Sequence, residues 1–356
     1  MKIAQIAPLY EAVPPLLYGG TERVVAHLCN ALVGLGHDVT LFASGETQTL
    51  AKLAPMRERA LRLDPAELKS DLASHLSMLH EVRRRASEFD VLQFHVDQMH
   101  FPFFEAMAHR TLTTLHGRLD IPDLPDAYRR WNKYPLVSIS RHQRRPVPFA
   151  NWLANVPHGL DMAPYALGTG AGGYLAFLGR ISPEKRPDRA IAIARKAGIP
   201  LKIAAKVDPA DKRYFEQEIR PLLDDPLVEF IGEIGDAQKS QFLGNARALL
   251  FPIDWPEPFG LVMIEAMACG TPVIGWRCGS VPEVIEDGVN GVIVQSEDEA
   301  VRAVEMLGGV DRQRVRQSFA ERFSATAMAG AYVEQYARLI AAGRPAPQEP
   351  QFKEIA

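Results

Sequence analysis

Short apolar runs of strand-forming residues alternate with amphipathic helical segments along almost the whole chain, spaced closely enough to specify parallel βαβ units. Residues 2–7 form the first run, ended by Pro8. From Thr21 onward, Val24, Val25, Leu28, Leu32 and Leu35 recur at helical spacing, with Thr21 as cap and Gly36 as stop. Residues 38–43 are the next strand. A helical stretch near 65–87 precedes a strand at 90–95, a short helix around 101–109 precedes one at 111–116, and a further strand covers 136–140. These strands are apolar on both faces, as a sheet covered by helices on both sides requires.

The pattern breaks at Leu167 to Gly173, where four of seven residues are glycine, and this stretch reads as an interdomain hinge. Strands then recur at 174–178, 201–205, 228–231, 248–251, 272–275 and 291–294. The expected architecture is α/β: two Rossmann-like domains facing across a cleft. The N-terminal domain spans 1–166, the C-terminal domain 173–323. A helix at 324–341 crosses back to the N-terminal half, and a Pro-rich flexible tail covers 342–356. A length of 356 residues suits two domains, and 47% hydrophobic with 23% charged residues excludes disorder as the main state. Cys29, Cys269 and Cys278 are too few and scattered for a disulfide framework and fit a reducing compartment. Apolar runs fall far short of the ~18 residues of a membrane span, and residues 1–11 lack the apolar region of a secretory signal. A soluble, cytoplasmic protein is the expectation. A net charge of −3 gives no global field for a nucleic-acid partner.

The most specific stretch is Trp255 to Ile274. Pro256 and Pro258 exclude helix and fix a loop that holds Glu257 outward. Gly260 then opens a helix whose first N–H groups, at Gly260, Leu261 and Val262, can receive an anion. Glu265 lies further along it, flanked by Ile264, Ala266 and Met267, where a carboxylate is seldom without a partner. Two carboxylates on one crevice suit the vicinal diols of a ribose or hexose. Arg180 and Lys185 follow the strand at 174–178 on a strand-to-helix loop, where a guanidinium fork and a point charge make a pyrophosphate clamp or simply a solvated basic loop. Gly19 and Gly20, in Tyr18-Gly-Gly-Thr-Glu22, let backbone approach a phosphate or merely turn the chain into a helix. His95 and His116 each end a parallel strand on the side of the cleft, as hydrogen-bonding or acid/base groups or as satisfied structural histidines. No zinc-type spacing and no Asp-x-Asp occur, so no metal ligands are expected.

Together these residues carry a resemblance. Glu257-Pro-Phe-Gly-Leu-Val-Met-Ile-Glu265 resembles the Glu-x7-Glu signature of retaining GT-B glycosyltransferases of family 4. Gly179-Arg180 with Lys185 resembles that family's diphosphate clamp, residues 18–22 its glycine loop, and residues 279–291 the segment after its donor site; the resemblance covers residues 1 to about 340. It implies a retaining, metal-independent transferase, without a cofactor. The enzyme would move a hexose from a UDP- or GDP-linked donor to an acceptor hydroxyl in α linkage. Glu257 would contact the sugar hydroxyls and Glu265 the ribose. Arg180 and Lys185 would neutralise the diphosphate, Phe259, Gly260 and Leu261 would offer backbone N–H groups, and Gly19 and Gly20 would border the donor. His95 becomes the better catalytic candidate, with Glu257, and His116 and Arg141 fall to the acceptor side. Gln93 and His158 stand where many relatives carry His and Asn, departures expected to lie away from the donor machinery.

A nucleotide-sugar epimerase on the same architecture, or a binder without turnover, would share most of these features. The acceptor is a small molecule, a saccharide or a lipid-linked sugar. Arg129, Arg130, Lys133, Arg141, Arg144 and Arg145, interleaved with Trp131 and Tyr134, form either a face for an anionic acceptor or peripheral membrane contact, or a solvated surface.

Overall fold

Strand pairing is parallel throughout, and most connections between strands run through helical segments that cross a sheet face. The computed structural model describes residues 1–16 and 19–343; Tyr18 and the tail from 344 lie outside the described residues. Strands β1 (Lys2–Ile6), β2 (Asp38–Ser44), β3 (Lys52–Arg57), β4 (Val91–Phe94), β5 (Thr111–Thr114), β6 (Leu136–Ser138) and β7 (Trp152–Asn155) form a seven-stranded sheet in the order 3-2-1-4-5-6-7. Strands β8 (Leu175–Arg180), β9 (Leu201–Lys206), β10 (Val228–Gly232), β11 (Ala248–Phe251), β12 (Val273–Trp276) and β13 (Gly291–Val294) form a six-stranded sheet in the order 10-9-8-11-12-13. Each sheet is buried on both faces, by separate apolar clusters. Strand order reverses between β1 and β4 in one sheet and between β8 and β11 in the other. Chains leaving such a pair diverge to opposite faces and open a crevice at the strands' carboxyl ends.

β3 and β7 had no strand signal in the sequence. Both are sheet edges: Pro55 sits in β3, where a missing N–H is tolerated, and β7 is only half-buried. Thr21 is not a cap. The helix Gly20–Gly34 starts one residue earlier, with Gly19 at the cap position, which leaves Thr21 inside the first turn. Gly36 does stop it, at φ +82°, with His37 N–H bonded back to the Leu32 carbonyl.

In 167–173 Gly168 and Gly172 serve close approach, whereas Gly170 and Gly173 turn the chain at φ +70° and +72°. Gly168, Gly170 and Gly172 donate backbone hydrogen bonds to Cys269, Gly244 and Asn245, and Arg312 reaches the carbonyls of Gly168, Gly244 and Ala246 at 2.8–3.1 Å. A Cβ on Gly168 would stand 2.1 Å from the Gly244 carbonyl oxygen. The segment is therefore stitched to the second sheet's helices. Gly168→Ala is expected to cost about 2–3 kcal/mol, read as a lowered denaturation midpoint at unchanged m-value.

The last helix, Ala325–Gly343, returns to the first half. Its Met328, Ala329, Tyr332, Tyr336 and Leu339 share one buried cluster with Val24, Val25, Leu28 and Leu32 of helix Gly20–Gly34. Polar contacts also join the halves: Arg23 pairs with Asp236, and the Glu283 carboxylate accepts from the backbone N–H of Arg141 and His142 at 2.7 Å each.

Candidate active site

Both switch points open into one cavity of about 570 Å³ between the halves. The loop after β1 brings Gly19 and Gly20 to it, the end of β4 brings His95, the loop after β5 His116, the end of β8 Arg180 and Lys185, and the segment after β11 brings Glu257, Phe259, Gly260, Leu261 and Glu265. Arg141, expected on the acceptor side, does not line the cavity; its backbone is tied to Glu283 across the halves.

Helix Leu261–Ala268 begins at Gly260, whose φ of +80° is left-handed, and its first residues, Gly260, Leu261 and Val262, line the cavity. A Cβ there would meet Met263 and the Phe251 ring at 2.8–2.9 Å. Gly279, at φ +56°, packs so closely on the Glu257 backbone that a Cβ would stand 2.4 Å from its nitrogen. Ser280 adds two bonds, from its N–H to the Glu257 carbonyl and from its hydroxyl to the Phe259 carbonyl, at 3.0 and 2.7 Å. Glu257 thus stands on a loop fixed from below, which explains why residues 279–291 follow it so closely.

Glu257 is buried, and its Oε2 accepts from Lys185 Nζ and, at 3.0 Å, from Trp255 Nε1. Glu265, more deeply buried, accepts on Oε1 from Lys239 Nζ at 2.8 Å and from the Tyr165 hydroxyl at 3.3 Å. In each carboxylate one oxygen is engaged and the other carries none of these bonds. Lys239 was missed by sequence reading, since Asp-Ala-Gln-Lys-Ser-Gln carries no local signal of a buried ion pair. Arg180 is shared among three carboxylates, Glu184 at 2.6 Å and Asp208 and Asp211 at 3.6 Å. Lys185, whose ammonium also lies 5.0 Å from the Trp255 ring centroid, is the cation nearest Glu257.

Opposite them stand three histidines in series. Burial holds His95 and His158 well below the ordinary imidazole range and His116 down to about 3, so all are neutral near pH 7. Gln5 Oε1 can only accept, so His95 donates to it from Nε2 at 2.8 Å, and His95 Nδ1 accepts from His116 Nε2, also at 2.8 Å. His116 Nδ1 is then a buried lone pair without a partner. Both nitrogens of His95 are engaged, so at this site it orients His116 rather than offering a free nitrogen to substrate. Gln93 sits below, bonded to Gln5, Thr114 and Tyr336 of the returning helix. His158 does touch the donor-side machinery, contrary to its expected place: its ring stacks on His116 and meets Phe259 edge-on, with centroids 5.1 and 5.0 Å apart.

The basic stretch at 129–145 does not form a single face. Tyr134 is fully buried, Arg144 bonds Ser138 and lies over Trp152, and Arg129 pairs with Asp126. Among the described residues no helix is long and apolar enough to cross a membrane.

Two doubly wound halves whose switch points face one another across this cleft define the GT-B class of glycosyltransferases. A family model for group 1 glycosyl transferases matches residues 170–318, and one for glycosyltransferase family 4 matches residues 18–152; the chain belongs to this family. It is 24% identical to a phosphatidyl-myo-inositol mannosyltransferase of Mycolicibacterium smegmatis, over 91% of this chain and 88% of that one. It also matches D-inositol 3-phosphate glycosyltransferases, of which it spans less than half the length. The solved structure of AviGT4, a glycosyltransferase involved in avilamycin A biosynthesis, superposes with a TM-score of 0.71 at 26% identity, over 96% of this chain and 98% of that one. Anabaena HepE in complex with UDP and glucose gives a TM-score of 0.70 at 18% identity, over 95% and 100%. The chain is a glycosyltransferase that uses a nucleotide sugar.

Proposed function

We propose that this glycosyltransferase retains anomeric configuration, moving a hexose from a UDP- or GDP-linked donor to a hydroxyl of a saccharide, cyclitol or lipid-linked acceptor in α linkage without a metal ion. The observation that carries the reading is the meeting, in one cavity, of Lys185 and the N-terminus of helix Leu261–Ala268 on either side of Glu257. When the anomeric C–O bond breaks, its electrons pass to the diphosphate. A lysine and free backbone N–H groups fixed in place stabilise that charge without the solvent reorganisation water would need. The vacant oxygens of Glu257 and Glu265 suit sugar and ribose hydroxyls. Neutral His95, His116 and His158 add no positive charge beside a developing oxocarbenium ion. The acceptor hydroxyl attacks on the leaving-group face and gives its proton to the departing phosphate oxygen.

The UDP in the HepE structure and the mannosyl transfer in the name of the M. smegmatis relative make UDP-glucose, UDP-galactose and GDP-mannose the donors to test. Each is incubated with a panel of glycosides and inositol phosphates, with and without EDTA, and the product's anomeric proton coupling is read by NMR. An α-glycoside formed equally with EDTA is the expected result. A β product, a requirement for divalent cation, or epimerised donor without glycoside would overturn the reading.

A further inference from the structure

Two residues past His95 the backbone does something costly. Asp97 has φ +49°, in the left-handed region that side chains other than Asn and Asp rarely enter. A single strained residue persists only where surrounding structure holds it, and such residues gather at functional sites. Here the strain turns the chain sharply at the carboxyl end of β4, out of the sheet and into the 3-10 turn Asp97–His100, and it sets Asp97 on the wall of the cleft. The side chain is open to that cleft, yet the enclosing walls desolvate it and hold its carboxyl up to about 6. Unlike Glu257 and Glu265, it has no hydrogen-bond or ion-pair partner among the described residues. A carboxylate left unpartnered and partly desolvated costs free energy unless something else serves it.

The wall around it belongs to the first half. Tyr10 and His75 are fixed there by Asp71, through the Tyr10 hydroxyl and the Asp71 carbonyl, and Arg62 lies 5.7 Å from the Tyr10 ring centroid. The donor groups Lys185, Glu257 and Glu265 all come from the other half, so Asp97 stands on the side left for the second substrate.

We infer that Asp97 is a substrate-binding residue of the acceptor subsite, accepting hydrogen bonds from neighbouring hydroxyls of a polyhydroxylated ring. A carboxylate offers two oxygens side by side to a vicinal diol. Arg62 on the same wall is paired with Glu11 at 3.2 Å and leaves Asp97 free to meet hydroxyl groups. The inference rests on the transferase reading above.

The test uses the full chain with UDP present. Wild type, Asp97→Asn and Asp97→Gly are titrated with glucose, mannose and myo-inositol, and separately with glucosamine, by saturation-transfer NMR. UDP affinity is measured alongside by calorimetry. Wild type binds at least one neutral probe, and Asp97→Asn weakens it roughly ten-fold or more, as loss of a charge-assisted bond does. Asp97→Gly weakens it at least as much while melting no lower than Asp97→Asn, since glycine adopts the left-handed conformation freely. Absence of any neutral-probe binding by wild type, equal binding by Asp97→Asn, or binding confined to glucosamine would overturn the proposal. Failure of wild type to bind UDP would instead overturn the donor reading, and this inference with it.

Discussion

Lys185→Ala is expected to lower kcat/KM about a thousand-fold while leaving the fold intact. The size follows from removing the lysine that pairs with Glu257 from a site that stabilises developing phosphate charge, a loss of about 4 kcal/mol in the transition state. Arg180 cannot substitute, because its guanidinium is shared among Glu184, Asp208 and Asp211. Folding survives because Lys185 sits at the end of the short turn Pro183–Lys185. Its partner Glu257 keeps the Trp255 indole bond at 3.0 Å. Lys185→Arg keeps the charge but not the compact head, and recovers only part of the loss. Steady-state kinetics with the preferred donor, beside circular dichroism and melting curves, make the check. An alanine variant within three-fold of wild type removes Lys185 from the diphosphate site.

Acidification should destabilise the protein steeply between about pH 6.5 and pH 4. Burial lowers His27 to about 4, His100 and His116 to about 3, and holds His95 and His158 well below the ordinary range. Through that window the unfolded chain protonates these imidazoles while the folded chain keeps them neutral, so unfolding takes up protons. Stability is therefore full above about 6.5 and is lost as pH falls toward the folded values. Each group contributes up to ~1.4 kcal/mol per pH unit. Asp97 and Glu22, whose carboxyls are raised by burial, act in the opposite sense but are outnumbered. A melting temperature lower by on the order of 10 °C at pH 5 than at pH 7.5 is expected. His158→Asn should flatten the dependence by about one proton. A melting temperature unchanged across this range would mean that the folded histidines do titrate.

Periodicity made most of the architecture legible, because a strand buried on both faces must be apolar throughout and few segments here are ambiguous. Edge strands escape this logic. β3 carries Pro55 and β7 is half-buried, since neither needs a partner on its outer side. Glu257, Gly260 and Glu265 were legible because two prolines, a glycine and a charge inside an apolar helix have few structural uses in that order. What the sequence could not show was who pairs with whom. Lys239 meets Glu265 from 26 residues away, Asp236 meets Arg23 from the other half, and His95 is bonded through both nitrogens only because the ends of three strands converge there. Glycine was the residue most easily misread. At 168 it marks contact with Gly244, at 19 a cap, and at 36, 260 and 279, among others, the left-handed turn that composition suggests first.

The returning helix Ala325–Gly343 sets the order in which a nascent chain can complete its core. Ile3, Val25, Leu28 and Leu32 are made first, yet the cluster that buries them closes only with Tyr332 and Tyr336. The second sheet has all its strands before that helix leaves the ribosome, so vectorial synthesis lets the later-made half settle earlier than the half that began it. During translation the first sheet keeps an open apolar groove along helix Gly20–Gly34. A chain ended at residue 324 would therefore present a finished second half joined to an unfinished partner.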